Sequence, residues 1–283
     1  MNDRALGGLR VTLAEPWLGG ILRWGIEGLR KFPAEFESFL GPAGRRLLAG
    51  RSPLMGALAD PRRRFLAADG LLDGSKLEAA RRLLDRALLP QLSRIDRPIP
   101  PEATWEMKEN YGELLPKTMR VSTSTFERRR GRAWEAAEAI GLVTMLRSAS
   151  FYEFAQHLAG RKLARHWGIQ ALCYGPGDYA GPHNDHQPEN PKARQGYIDI
   201  HLSMAGPAVA QQWLVYAVAG HFTKIESVAR SGRVTAYRLP LWHYTTPLVA
   251  RKGREGEARR WVLLGTFLYA DGADRRANSG GRP

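Results

Sequence analysis

The sequence holds a single cysteine, Cys173. An intrachain disulfide is therefore impossible, and a zinc site built on cysteines is excluded. A reducing compartment is compatible with that count. No run approaches the ~18 apolar residues that a membrane-spanning helix needs. The N-terminus does not read as a signal peptide, because Asp3, Arg4, Arg10, Glu15 and Arg23 interrupt its apolar stretches. The expected location is cytoplasmic. Three nucleotide-binding and hydrolase fingerprints are also missing: the P-loop, the dinucleotide loop and the Gly-x-Ser-x-Gly elbow. Gly175-Pro176-Gly177 follows an apolar run, but no helix with a third glycine follows it. Acidic residues are scarce, 28 against 42 Lys and Arg, for a net charge of +14. That surplus suits nucleic acid, an anionic membrane surface or an acidic metabolite, and equally suits arginines spread over solvated faces.

The chain has 283 residues, 43% hydrophobic and 25% charged, which fits one large domain or one domain with an attachment. The first 160 residues read as a helical N-terminal region. Trp17, Leu18, Ile21, Leu22, Gly25 and Leu29 recur at helical spacing. Packing on the domain explains them better than contact with a membrane surface. Residues 41–74 read as loop, with Arg62-Arg63-Arg64 as a solvated turn. Capping boxes at Ser75–Glu78, Ser124–Glu127 and Ser150–Glu153 predict three helices. The first carries an apolar stripe from Leu77 to Leu92, before a stiff connector at Pro98-Ile99-Pro100-Pro101. The second runs to about Arg147, with Arg128, Arg129, Arg130 and Arg132 in its first turns, where they oppose the macrodipole. The third stops at Gly160.

From residue 161 the pattern changes to strands: Trp167–Tyr174, Gln195–Met204, Gln212–Val218, His221–Val228, Arg233–Leu239, Trp242–Val249 and Arg260–Tyr269. Short strands at this spacing predict a sandwich or jelly roll. The expected fold is α+β: a helical region over 1–160 packed on a jelly-roll core over 161–270, then a frayed tail over 271–283.

The chemistry centres on Tyr174–Asp185. A strand-like run ends in a Gly/Pro turn that delivers His183 and Asp185. Two positions apart in extended chain, both side chains fall on one side. Two imidazoles and a carboxylate hold non-haem Fe(II) with positions left open, and His243 is the candidate second imidazole. His186, His201 and Asn184 are secondary candidates near a pocket; His157, His166 and His221 carry no functional signal.

Tyr174, Gly177, His183 and Asp185, then His243 in Trp242–Leu248, then Arg260 opening Arg260–Leu264, resemble the Fe(II)/2-oxoglutarate-dependent oxygenases, prolyl-hydroxylase-like branch included. The resemblance covers about residues 165–270. It implies a double-stranded β-helix, Fe(II) on His183, Asp185 and His243, and 2-oxoglutarate gripped by Arg260 and touched by Tyr174. It also implies O2 as co-reactant and hydroxylation as the default outcome. Arg260 stands further beyond His243 than the family's cation usually does. Lys252–Glu257 reads as an enlarged hairpin loop that absorbs the excess, with Arg251 as the competing cation. The expected substrate is a peptide or protein side chain or a small metabolite. Nucleic-acid demethylation is one alternative, although the Arg- and Asn-containing signature after the distal His is missing. A non-catalytic jelly-roll binder using basic patches is the other.

Overall fold

The computed structural model describes residues 30–99, 118–185 and 196–270. The Trp17–Leu29 helix, His186 and the tail fall outside these residues.

Thirteen strands and five α-helices are present among the described residues. The helices are α1 (Pro42–Leu48), α2 (Gly74–Ala87), α3 (Arg132–Ala139), α4 (Leu142–Leu146) and α5 (Ala149–Ala159). The strands of the first half are β1 (Phe65–Ala68), β2 (Ser93–Pro98) and β3 (Thr118–Thr125). Those that follow are β4 (Gly168–Tyr174), β5 (Tyr179–His183), β6 (Tyr197–Ala205), β7 (Val209–Gln211), β8 (Trp213–Val218) and β9 (His221–Ser227). The chain continues through β10 (Val234–Leu239), β11 (His243–Thr245), β12 (Val249–Ala250) and β13 (Arg260–Leu268).

Eleven strands form one antiparallel sheet in the order β1-β10-β6-β13-β4-β3-β5-β11-β8-β9, with β2 paired to β3. It curls into the jelly roll expected of the C-terminal half. The first half is not purely helical, however. β1 extends the sheet beyond β10, and β3 sits between β4 and β5. Ser124 was expected to cap a helix, but it lies in β3 opposite Ala171. Val121, Thr123 and Thr125, β-branched at alternate positions, favour a pleated strand. Ladder pairing to β4 and the burial of Phe126 then outweigh one local cap. The helix starts at Arg132 instead, so of the four arginines only Arg132 lies within it. Residues 41–74, expected as loop, contain α1 and β1; Pro42 at the first helical position is pre-set for the turn.

Two other helices lie close to expectation. The α2 cap is Asp73, whose side chain accepts from the Ser75 amide at 3.1 Å, and Leu77, Ala80, Leu83 and Leu84 are buried. Helix α5 is capped by Ser148 and ends at Gly160 in the left-handed region.

The helices cover the outer face of the sheet. On β13, Trp261, Leu263 and Phe267 point outward into the main core. Phe267 stacks on Trp167 with centroids 5.1 Å apart and meets Phe151 of α5 at 5.6 Å. The Trp261 indole donates to Asp85 of α2 at 2.8 Å, tying that helix to the last strand. Gly265 permits the close approach of α5, since a Cβ there would stand 2.6 Å from Phe151 Cε1. No helix among the described residues is long and apolar enough to cross a membrane.

Strand β6 shows what this covering does to the interior. Its apolar positions Ile198, Ile200, Leu202 and Met204 are fully buried against the helices. The alternate positions Asp199, His201 and Ser203 therefore face inward, and Asp199 and Ser203 are buried as well. The polar face of this strand is the inside of the barrel.

Candidate active site

That interior is a cavity of about 190 Å³, whose lining includes Tyr174, His183, Asp185, Asp199, His201 and Arg260. His183 ends β5, His243 opens β11, and the two are opposed in register across the antiparallel pair. Their ring centroids are 4.3 Å apart. Each Nδ1 lies 2.7 Å from the carbonyl two residues earlier, Gly181 for His183 and Leu241 for His243. A carbonyl can only accept, so each Nδ1 carries the proton and each Nε2 presents a lone pair. Both Nε2 atoms face Asp185, at 3.5 Å from Oδ1 and 3.6 Å from Oδ2. The three ligand atoms lie within 4.8 Å of one another.

Asp185 arrives differently from the expectation. Its φ is +53°, so the chain is not extended through it and strand alternation does not set its direction. A left-handed turn, which Asp tolerates better than most residues, swings the carboxylate back to the imidazoles. The Tyr197 hydroxyl donates to the Asp185 carbonyl and holds that turn from β6. The Asp185 side chain keeps 36% exposure, which places it at the cavity mouth.

The electrostatics suit a cation. Burial is the largest influence on Asp185 and favours the neutral acid, but the facing imidazoles outweigh it and hold the carboxyl below its ordinary range. Burial, then His183, lowers His243 to about 3. At neutral pH the centre is thus a carboxylate facing a neutral His243. This donor set fits a divalent metal with soft-to-intermediate nitrogen and hard oxygen ligands. The two carbonyls behind the imidazoles are the outer partners that fix ring orientation in such sites.

Arg260 opens β13 and is 2% exposed. Its Nε donates to Ser203 Oγ at 3.0 Å, its Nη1 to Gln212 Oε1 at 2.9 Å, and its guanidinium lies 5.3 Å from the Tyr174 ring centroid. No carboxylate pairs with it among the described residues. Burial lowers its pKa, with the nearby phenols opposing. A buried cation without a counter-ion is costly unless a ligand supplies the negative charge. A dicarboxylate reaching from Arg260 toward the triad fits that requirement, and the guanidinium's second Nη is left to grip it. Arg251, by contrast, is exposed and donates to the Pro207 carbonyl.

Tyr174 is buried beside Arg260, and desolvation pushes its phenol above the ordinary range, so it stays a hydrogen-bond donor. His201 lines the cavity as well. His157 binds the Leu47 carbonyl, and His166 and His221 are exposed. Sequence reasoning passed over Asp199, Ser203 and Gln212. The signal was available for the first two: they occupy the polar face of a strand whose apolar face faces helices.

No protein-family model matches the sequence, and no curated protein matches it. Solved structures do match the fold. An oxidoreductase of the 2OG-Fe(II) oxygenase family from Burkholderia pseudomallei superposes with a TM-score of 0.50 at 14% identity, over 80% of this chain and 90% of that one. The non-haem α-ketoglutarate-dependent carbocyclase SnoK of nogalamycin biosynthesis also gives 0.50, at 11% identity, over 79% and 86%. The chain has the jelly-roll fold of the 2OG-Fe(II) oxygenases.

Proposed function

We propose that the protein is an Fe(II)- and 2-oxoglutarate-dependent dioxygenase that hydroxylates a C–H bond of a small metabolite or a peptide side chain. One observation carries the reading: the His183, Asp185 and His243 ligand atoms converge on the same cavity that holds Arg260, buried and without a carboxylate partner among the described residues. His183, Asp185 and His243 would hold the iron, Arg260 would bind the distal carboxylate of 2-oxoglutarate, and Tyr174 would orient it. Bound iron with the cosubstrate and O2 supplies the oxidation, in which 2-oxoglutarate leaves as succinate and CO2 and one oxygen atom goes to the substrate.

The chain's own part is to position and to shield. The Gly181 and Leu241 carbonyls keep both Nε2 lone pairs turned inward. Ser203 and Gln212 hold the guanidinium in one orientation. The cavity is smaller than the ~300–1,000 Å³ that encloses a drug-sized ligand. It therefore takes the cosubstrate and the reacting part of a substrate, with the remainder outside the mouth.

The test is an anaerobic titration of Fe(II)-loaded protein with 2-oxoglutarate. A weak visible charge-transfer band is expected in the wild type and is expected to vanish in Asp185→Ala. A wild-type protein that takes up neither iron nor the cosubstrate would sink the reading.

A further inference from the structure

The cavity contains a second buried carboxylate that iron and cosubstrate leave unused. Asp199, on the inner face of β6, is 6% exposed. Its Oδ1 has no hydrogen-bond partner among the described residues. Tyr237 and Thr266 flank it in register on β10 and β13, and neither carries a positive charge. His201, on its own strand, faces Oδ2 from 3.9 Å, and it and Thr266 are the polar neighbours of this carboxylate, which leave Oδ1 without a partner. No Lys or Arg pairs with Asp199 among the described residues.

We propose that Asp199, with His201 beside it, forms a recognition subsite for a positively charged nitrogen group, an ammonium or guanidinium, on the molecule that enters this cavity. That this molecule is a substrate rests on the oxygenase reading; the subsite itself rests on the cavity.

Position separates this subsite from the cosubstrate. Arg260 is held at Ser203, and Asp199 lies four residues earlier on the same strand, about 13 Å away along the backbone. That span is longer than an extended five-carbon diacid. The triad lies toward the Asp199 end, because Tyr197, two residues before Asp199, holds the Asp185 carbonyl. A row of rings, His201, Tyr237 and His243, with centroids 4.5 and 5.0 Å apart, runs from beside Asp199 to the triad. A diacid anchored on Arg260 and ending at the triad therefore leaves Asp199 uncovered. The cavity has a cationic end and an anionic end, and the anionic end adjoins the centre where a C–H bond would react.

Charge argues for a cation over a hydroxyl. Burial, the largest influence, raises the Asp199 pKa and the neighbouring Asp185 adds to it, while His201 and Thr266 oppose it without outweighing it, so the carboxylate is only partly compensated by its own neighbours. An alcohol would add one hydrogen bond and leave the charge unbalanced. An ammonium adds the bond and the balance, and a charge-assisted bond of this kind is the stronger sort.

The experiment compares butylammonium with 1-butanol, near-isosteric probes, by ligand-observed NMR titration near neutral pH. The wild type is expected to prefer the cation by at least about tenfold, the lower bound for a charged hydrogen bond. Asp199→Asn, checked for folding by circular dichroism, is expected to cut the preference to about twofold or less. Equal affinities in the wild type overturn the proposal, as does a preference that survives in folded Asp199→Asn. Should that variant not fold, Asp199→Ser replaces it, and the wild-type ratio alone retains the power to refute. The iron and 2-oxoglutarate titration on the same samples keeps the two readings apart: an Asp199-dependent preference without that band leaves the subsite standing and removes the oxygenase.

Discussion

Gln212 accepts a hydrogen bond from Arg260 Nη1 at 2.9 Å and turns its amide nitrogen to the carbonyls of Asp178 and Thr246, at 3.2 and 3.1 Å. One fully buried side chain thus joins the proposed anion clamp to the turn before β5 and to the residue after β11. The two strands that carry the histidines and the strand that carries the cation are braced against one another.

Replacing Gln212 with Glu tests the clamp. The new carboxylate would sit against the guanidinium and supply the negative charge that a cosubstrate otherwise brings. The dissociation constant for 2-oxoglutarate is expected to rise at least about tenfold, the cost of losing a charged hydrogen-bond partner. A carboxylate cannot donate to the Asp178 and Thr246 carbonyls, so the brace loosens too, and manganese binding, followed by electron paramagnetic resonance, is expected to weaken clearly less than 2-oxoglutarate binding. Unchanged 2-oxoglutarate affinity would remove Arg260 from its assigned role.

Arg260→Met separates stability from function. Removing an unpaired buried cation relieves desolvation, while two hydrogen bonds to Ser203 and Gln212 are lost. The ligand-free protein is expected to be as stable as the wild type or more so, by up to about 1–2 kcal/mol in urea melts. 2-Oxoglutarate binding is expected to be abolished. A strongly destabilised variant would mean that the guanidinium serves the fold and not a ligand.

The pH dependence of metal-free stability follows from His243. Its folded pKa of about 3 lies below the ordinary 6.5, so the unfolded chain binds the extra proton between those values. Stability from this group is full above about pH 6.5 and falls as the pH drops toward 3. The loss is on the order of 1–2 kcal/mol between neutral pH and pH 5. Urea melts in a chelator are expected to show this loss in the wild type and a clearly smaller one in His243→Gln. An equal pH slope in both proteins would refute the assignment.

Gly265→Ala probes the helix–sheet contact without touching the cavity. Its Cβ would press on the Phe151 ring, so about 1–3 kcal/mol of stability is expected to be lost. Phe151→Leu in the same chain should recover part of that loss, a non-additivity that a double-mutant cycle reads directly. The folded fraction is expected to bind 2-oxoglutarate as before.

Much of the C-terminal half was legible because strand alternation and turn residues speak locally. The strands β4, β6, β8, β9, β10 and β13 lie within a few residues of their expected limits, and the three candidate ligands do converge. What misled was also local. Ser124–Glu127 has the letters of a helix cap, yet its neighbours in space are Ala171 and Gln170, which lie far along the chain. The His183–Asp185 spacing does bring the two side chains together, but through a left-handed Asp185 and not the assumed extended chain. Asp199 and Ser203 were within reach of sequence reasoning, on the polar face of a strand whose apolar face meets helices, whereas Gln212 lies between β7 and β8 and no local pattern marks it.

The insertion of β3 between β4 and β5 has a consequence for biosynthesis. β4 cannot be paired on both edges until β13 has emerged, and β10 must find β1 across a separation such as Tyr237 to Phe65. Closure by contacts so distant in sequence puts the chain among slow-folding topologies, with strand edges bare during translation. His243 meets His183 only once β11 has docked between β5 and β8. If the proposed centre takes up a metal, it can do so only after this last docking, so uptake would follow closure of the barrel and not precede it.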